Sequence, residues 1–391
     1  MITSLGGGVA ETWAQLEEGQ VKATPVTRFD LKDSDCQVAA QVSDKDEPAP
    51  GGRRRQPRIV RLAAAALEQA LEQARLLGSG RKSRDRTLAL WCSTTGAGME
   101  FGEKFIASSR AGTKGGAAAA AVRYQAQYLP HALQEIFGTN GSAVTLSNAC
   151  ASGADVLGTA ADLIASGRAE RIAVGGAETL SALIFHGFSC LRALSATTCR
   201  PFARSRDGLW LGEGAAFMIL ESEKSVRERG VEPLGKVAGY GHGTDLYHVT
   251  HPQPEGKVLA EALNKALGQA DVRPDEVAYI NAHGTATPAN DGAEEAAYRK
   301  VFGEGLAQVA ISSVKSGVGH TLGAAGVIEA VVTVEAMRQR QPIPALAVAD
   351  PLPEMAASLE LSRNGALKGR AYVSTNAGFG GANAALVLVN S

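Results

Sequence analysis

Two spacings of apolar and polar residues alternate along the chain. Short runs rich in β-branched and aliphatic residues predict strands over 87–93, 143–147, 171–174, 215–220, 277–281, 308–312, 371–375 and 384–389. Longer stretches with helical spacing predict helices over 58–77, 151–166, 257–270, 291–302 and 323–339. Strand–helix alternation of this kind implies an α/β architecture with layered sheets. The segment 47–57, rich in Pro, Gly and Arg, reads as a surface loop, and the low-complexity run 115–121 as a loose loop or the start of a helix. No internal sequence repeat is visible. Both halves, however, contain strands that run into Gly-rich turns bearing reactive side chains, which hints at a duplicated fold.

Composition narrows the class. The 391 residues suit two or three domains or one large duplicated fold. Apolar residues make up 45%, enough for a sizeable core and against disorder as the main state. With 39 basic and 40 acidic side chains the net charge is -1, which argues against a globally basic nucleic-acid surface. Glycine is unusually frequent, 45 residues against an average of ~7%, so close backbone approaches are expected. No apolar run is long enough for a transmembrane helix, and the first residues lack the pattern of a secretory signal. The five cysteines, Cys36, Cys92, Cys150, Cys190 and Cys199, are widely spaced with no CxxC pair. A disulfide framework and a zinc site are therefore not expected, and a reducing cytoplasm fits.

Cys150 stands out for its setting, after the apolar strand 143–147 and before a helix of small residues. The unpaired amides and positive dipole end of a helix favour thiolate, the nucleophilic form. A buried inert cysteine is the commoner fate, and the other four cysteines are assigned to it. His283 follows the strand 277–281, and His320 follows 308–312 and precedes a helix; both sit beside glycines. A lone histidine is usually a satisfied surface or core residue, but two in matching positions at strand carboxyl ends point to a site. His131, His186, His242, His248 and His251 have no such context. There is no HExxH helix, no GxSxG elbow and no phosphate-binding GxxxxGK[ST] loop, and the SxxK pattern that ends at Lys315 recurs at Lys82.

Taken with their surroundings, Cys150, His283 and His320 closely resemble the 3-oxoacyl-[acyl-carrier-protein] synthases of the I/II type. The motifs are NACASG at 148–153, RPFARSRDGLWLGEGA at 200–215, NAHGTATPANDGAE at 281–294, VKSGVGHTLGAAGVIE at 314–329 and NAGFGGANAALVL at 376–388. The resemblance implies the thiolase fold, two similar halves in a five-layered αβαβα sandwich, divided here as 1–229 with the cysteine and 230–391 with both histidines. It implies a dimer, either of two copies or with a related synthase subunit, with its contact near the strand 171–174. The β-branched run that usually opens the family's sequences is not seen before Ile2, so the first half-sheet is expected to lack its outer strand.

The resemblance also implies a reaction. Cys150 takes an acyl group from an acyl carrier protein; the backbone amides of Cys150 and Phe379 form the oxyanion hole; His283 and His320 stabilise the enolate left by decarboxylation of malonyl-carrier. Lys315 and Glu329 match a supporting ion pair, Asp291 and Glu294 acids behind the site, and Thr285 and Thr287 contacts to the pantetheine arm. No cofactor or metal is implied. A true thiolase needs a second cysteine near the C-terminus, and none follows Cys199. The III-type synthases place Asn where His320 stands. A Cys–His acyl hydrolase and a non-catalytic partner subunit remain as alternatives, the latter disfavoured because Cys150 is present.

Carrier proteins are acidic, so a local basic rim is expected. Arg53, Arg54, Arg55, Arg58 and Arg61, with Arg204 and Arg206, are the candidates, Arg58 and Arg206 by resemblance to carrier-docking positions. Counted without gaps from Cys150, Thr95 stands at a bulky gate position. Ala119 and Ala120 fall near aromatic positions, and Ala377 falls where a Phe precedes the gate at Phe379. Such changes imply a widened acyl pocket and a bulky or rigid acyl chain, as in aryl polyene or polyketide synthesis.

Overall fold

The computed structural model describes residues 1–31, 34–43, 56–112 and 117–391. Helix α1 (Val9–Glu17) and a ribbon of β1 (Thr24–Pro25) and β2 (Val38–Ala39) precede α2 (Arg58–Gln73). The first large sheet comprises β3 (Ala89–Ser93), β4 (Ala143–Leu146), β5 (Arg171–Glu178) and β6 (Gly214–Glu221), ordered β4-β3-β5-β6 with β6 antiparallel. The second comprises β7 (Lys236–Thr244), β8 (Val277–Asn281), β9 (Ala310–Ser312), β10 (Ala371–Gly378) and β11 (Ala382–Val389), ordered β7-β11-β10-β8-β9. The run β9-β8-β10-β11 repeats β4-β3-β5-β6 in order and in strand direction, so the duplication suggested by the paired reactive turns is present in the backbone.

Between β3 and β4 in sequence lie α3 (Met99–Arg110), α4 (Ala117–Tyr124) and α5 (Tyr128–Phe137); α6 (Ser152–Ala165), α7 (Ala182–Cys190) and α8 (Glu223–Arg229) follow. The second half adds α9 (Lys257–Gln269), α10 (Pro288–Phe302), the short α11 (Lys315–Val318), α12 (Ala325–Gln339) and α13 (Ala356–Asn364). Helices α6 and α12 touch both sheets and form the middle layer; α2 and α5 cover the outer face of the first sheet, α9 and α13 that of the second. This is the expected five-layered sandwich. A central helix is buried all round, which is why α12 (AGVIEAVVTVEAMRQ) has almost no polar stripe. Where α6 and α12 cross, a Cβ on Gly326 would lie 2.4 Å from the Ala154 nitrogen, and one on Gly153 2.7 Å from that of Val327. Much of the chain's small-residue content serves such contacts.

Several expectations need correction. The strand 171–174 is part of β5, which lies inside the first sheet between β3 and β6 and offers no edge to a partner; β4 is the open edge. Outside β6 the described residues form no strand, and Ile2 alone exchanges two backbone hydrogen bonds with Ala215, at 2.7 and 2.9 Å. The apolar runs give no strand over 236–244, where β7 lies. Helix α9 lies directly on it: a Cβ on Gly239 would meet the Ala266 carbonyl at 2.0 Å, and one on Gly241 the Ala262 carbonyl at 1.9 Å. Of the run 115–121, residues from 117 onward are helical, and most of the 47–57 loop lies outside the described residues.

Candidate active site

The carboxyl ends of β4, β8 and β10 and the turn after β9 converge on one cavity of about 310 Å³. It is lined by Cys150, His283, His320, Thr285, Thr287, Ala377 and Phe379, among others. Each arrives for a local reason. After β4 the chain turns sharply through Ala149, a non-glycine residue at φ +47°, and α6 begins two residues past Cys150. Strain of this kind persists only where neighbours hold it. Here the Ala149 carbonyl accepts from the Ser152 hydroxyl at 2.6 Å and the Thr95 hydroxyl at 3.0 Å. Cys150 is buried, its sulfur 3.0 Å from His320 Nε2, and the Phe379 amide donates to that sulfur. Burial pushes the Cys150 thiol up to about 12, with the charges of Glu178 and Glu329 adding to the rise; Lys315 and the Phe379 amide pull it down.

The His283 loop is anchored by carboxylates from α10. Glu294 accepts from the backbone amides of His283 at 2.8 Å and Gly284 at 2.6 Å, and from the Tyr298 hydroxyl at 2.7 Å. Asp291 accepts from Phe202 N at 2.6 Å and Ala286 N at 3.1 Å. Burial raises both carboxyls, Glu294 to about 7 with Asp291 adding to the rise, and Asp291 to about 6. His320 is fixed by its backbone, which donates to the Trp210 carbonyl at 2.7 Å and accepts from Gly212 N at 2.9 Å.

The two imidazoles meet edge to face, ring centres 5.2 Å apart. Lys315 Nζ lies 3.3 Å from His283 Nδ1 and pairs with Glu329, whose other oxygen accepts from Asn376 Nδ2 at 2.6 Å. An ammonium can only donate, so Nδ1 of His283 is the acceptor and the ring proton sits on Nε2. Burial, then Lys315, holds both histidines well below the usual imidazole range, and His320 lowers His283 further, so they are neutral.

Not every sequence expectation is met. Thr95 does not line the cavity, since its hydroxyl is turned to the Ala149 carbonyl. Ala119 is exposed on α4, Ala120 is partly so, and neither reaches the cavity: α5 and β4 separate them from Cys150 in sequence, and counting across them without gaps does not bring them to the thiol. Only Ala377 of the four lines the cavity. Arg58 is not a docking residue: its side chain is 4% exposed and clamps the buried Glu213 with bonds of 3.1 and 2.8 Å. Arg206 is 11% exposed and donates to the Ala203 and Pro288 carbonyls, holding the start of α10. Arg204 is exposed, and Arg53, Arg54 and Arg55 lie outside the described residues. Arg58→Ala is therefore expected to lower stability by about 3–5 kcal/mol, the effect of stranding a buried charge. A urea melt reads this; unchanged stability with a raised KM would restore the docking role.

The cavity also has walls that the sequence did not suggest. His248 and His251 stand at its mouth, their Nδ1 atoms 3.1 Å apart, and Phe188 stacks on Phe379 with ring centres 5.5 Å apart. No spacing signal marked them, because they come from loops and helix α7 far from the motifs. Among the described residues no group of three or more His, Cys, Asp or Glu side chains could hold a metal ion, and no helix is long and apolar enough to cross a membrane.

A duplicated five-layered sandwich with a buried thiol and two neutral imidazoles at its strand ends defines an acyl-transferring protein of thiolase fold. Residues 1–225 match the β-ketoacyl synthase N-terminal domain and 234–349 the C-terminal domain. The 3-oxoacyl-[acyl-carrier-protein] synthase 2 of Synechocystis sp. is 32% identical, the match covering 98% of this chain and 95% of that one. The ishigamide ketosynthase/chain length factor superposes with TM-score 0.89 at 30% identity, over 100% of this chain and 97% of that one. A type II polyketide acyl-carrier protein in complex with its ketosynthase gives 0.87 at 25%, with the same coverage. The chain belongs to the β-ketoacyl synthase family and is an acyltransferase of that family.

Proposed function

We propose that the chain performs a decarboxylative condensation between an acyl group on Cys150 and malonyl-carrier protein, extending a fatty-acid or polyketide chain. The observation that carries this reading is the pair of neutral imidazoles facing one cavity with the thiol, His320 Nε2 at 3.0 Å from Sγ.

In the first half-reaction Cys150 attacks the acyl-carrier thioester. Its sulfur accepts from Nε2–H of His320, and its proton goes to the departing carrier thiolate, leaving acyl-Cys150 and free carrier thiol. The amides of Cys150 and Phe379 receive the oxyanion. In the second, malonyl-carrier loses CO2 as the bond between its carboxylate and methylene carbons breaks. The electron pair moves onto the thioester as an enolate, whose oxygen accepts from Nε2–H of His283 and His320. Neutral imidazoles suit this role, since each is a donor that adds no charge to the resting cavity. The enolate carbon then attacks the acyl carbonyl, and the Cys150 thiolate leaves the 3-oxoacyl-carrier.

Lys315 and Glu329 hold His283 in its donating tautomer; Asp291 and Glu294 hold its loop. Thr285 and Thr287, hydroxyls 2.9 Å apart on the cavity wall, take the pantetheine arm. Arg204 belongs to the rim that meets an acidic carrier. The division into halves at residues 229 and 230, a reducing cytoplasmic setting and no cofactor complete the reading. A dimer, of two copies or with a related subunit, is supported by the open edge of β4 and by Phe105, Ile106, Val122 and Tyr124 standing exposed on α3 and α4.

The test is product analysis of the wild-type chain with acyl-carrier and malonyl-carrier. Dominant 3-oxoacyl-carrier is expected; dominant free acid without need for malonyl would make the chain a hydrolase instead.

A further inference from the structure

Glu178, the last residue of β5, has no role in the reaction above, yet it is fully buried and surrounded by the site. Its carboxylate faces amides rather than a cation. Oε1 accepts from Thr95 N, from Gly96 N at 3.1 Å and from Gly323 N at 3.2 Å, and Oε2 also reaches Gly96 N at 3.1 Å. Burial raises this carboxyl to about 7 against the pull of those amides. An anion buried on three amides and the Thr94 hydroxyl, with no cation, carries a large desolvation cost, which a neutral side chain of similar shape would avoid.

The identity of the three amides gives the cost a purpose. Thr95 and Gly96 form the loop after β3. The Thr95 hydroxyl donates to the carbonyl of Ala149, the strained residue immediately before Cys150. Gly323 lies three residues past His320 and packs so tightly on the same loop that a Cβ there would sit 2.5 Å from Thr95 N. One carboxylate thus stands between the turn that carries the thiol and the turn that carries its imidazole.

We propose that Glu178 is a positioning residue, tying the Thr95 loop, and through Thr95 the Ala149–Cys150 turn, to the Gly323 turn behind His320, and so fixing the thiol against the imidazole. The description of its purpose rests on the condensation reading; the geometry it controls does not. Misplacement of reacting groups by an ångström costs up to about a hundredfold in rate. Thr95→Val removes the bond to Ala149 while leaving the amide that Glu178 holds. Glu178→Gln keeps one acceptor oxygen but turns an NH2 donor toward an amide donor.

Two rates are measured on each variant across a pH series, alongside a thermal melt. They are acylation of Cys150 by a small acyl thioester, hexanoyl-N-acetylcysteamine, and its alkylation by iodoacetamide. Thr95→Val is expected to acylate about ten- to a hundredfold more slowly at saturating thioester, with KM changed by less than about twofold, and Thr95→Ser to recover most of the rate. Glu178→Gln is expected to lose a similar factor. It should also flatten the part of the wild-type decline in rate that falls near pH 7, where Glu178 takes up a proton and one of its oxygens turns from acceptor to donor.

Wild-type acylation and alkylation in Thr95→Val, or a Thr95→Ser variant no better than it, would overturn the proposal. So would a folded Glu178→Gln with the wild-type rate and pH profile. If Glu178→Gln does not fold, the Thr95 pair decides. A wild-type chain that acylates normally but yields no 3-oxoacyl product would end the condensation reading and leave this one standing.

Discussion

Cys150→Ala is expected to abolish condensation, by about 10⁴-fold or more, while leaving decarboxylation of malonyl-carrier measurable. The two activities separate because they use different atoms. Acyl transfer needs the sulfur, which is lost. Enolate formation needs N–H donors, and His283 and His320 owe their placement to bonds that do not involve the sulfur: Glu294 on the His283 amide, Trp210 and Gly212 on the His320 backbone. The fold should survive, since the change removes one small buried atom. His283→Ala is the mirror case. Its Cys150 should still accept an acyl group, because the imidazole in contact with the sulfur is His320. CO2 release should fall by about 10²–10³-fold, the usual effect of removing one donor to a developing oxyanion. Radiolabelled CO2 and acyl-enzyme mass, measured on both variants, check the pair; condensation by Cys150→Ala at the wild-type rate would remove the nucleophile assignment.

Lys315→Met should be the most damaging change away from the reacting atoms. Lys315 and Glu329 are each about 1% exposed and paired only within the site. Breaking such a pair strands a carboxylate, an effect of about 3–5 kcal/mol, visible as a lower urea midpoint. Glu329→Gln added to Lys315→Met should recover part of that loss, because no buried charge is then left. The variant should also change the pH profile. Burial first and Lys315 second hold both imidazoles down, so in the wild type they stay neutral well below 6.5. With Lys315 gone and Glu329 left, His283 should protonate closer to neutrality, and the acid limb of the rate should move to higher pH. Stability follows the same sign. Below about 6.5 the unfolded chain binds protons that the folded imidazoles refuse, so the folded state should weaken as pH falls. An acid limb unmoved by Lys315→Met would mean that the lysine does not govern the imidazoles.

How much of this was legible in the residues differs by element. Strands such as β8 (VAYIN) and helices such as α9 were visible because burial on one or both faces imposes a period on the sequence. Strand β7 was hidden because its glycines answer to α9 lying on it, a tertiary demand with the same letters as a turn. Cys150, His283 and His320 could be singled out because each sits at a strand end beside glycines, and the cavity does bring them together. Glu178 gave no signal. A carboxylate at the end of an apolar strand reads as the strand's exit to solvent, and its burial depends on loops far away in sequence. Arg58 misled for the converse reason. It opens a helix next to a run of arginines, but the helix start is tucked under Glu213, where a charge must be paired. Thr95, Ala119 and Ala120 stand outside the cavity while Ala377 lines it, because counting back from Cys150 without gaps assumes a fixed path through the helices and loops between β3 and β4.

The most direct test is an acyl-enzyme chase followed by intact-protein mass spectrometry. The chain is loaded with a small acyl-carrier pool, freed of excess carrier, and then given malonyl-carrier or buffer alone. The account predicts one acyl mass on Cys150 that persists in buffer and disappears with malonyl-carrier, with 3-oxoacyl-carrier formed in equal amount. Discharge of the acyl group to free acid in buffer alone, or an acyl mass carried on any residue other than Cys150, would contradict it.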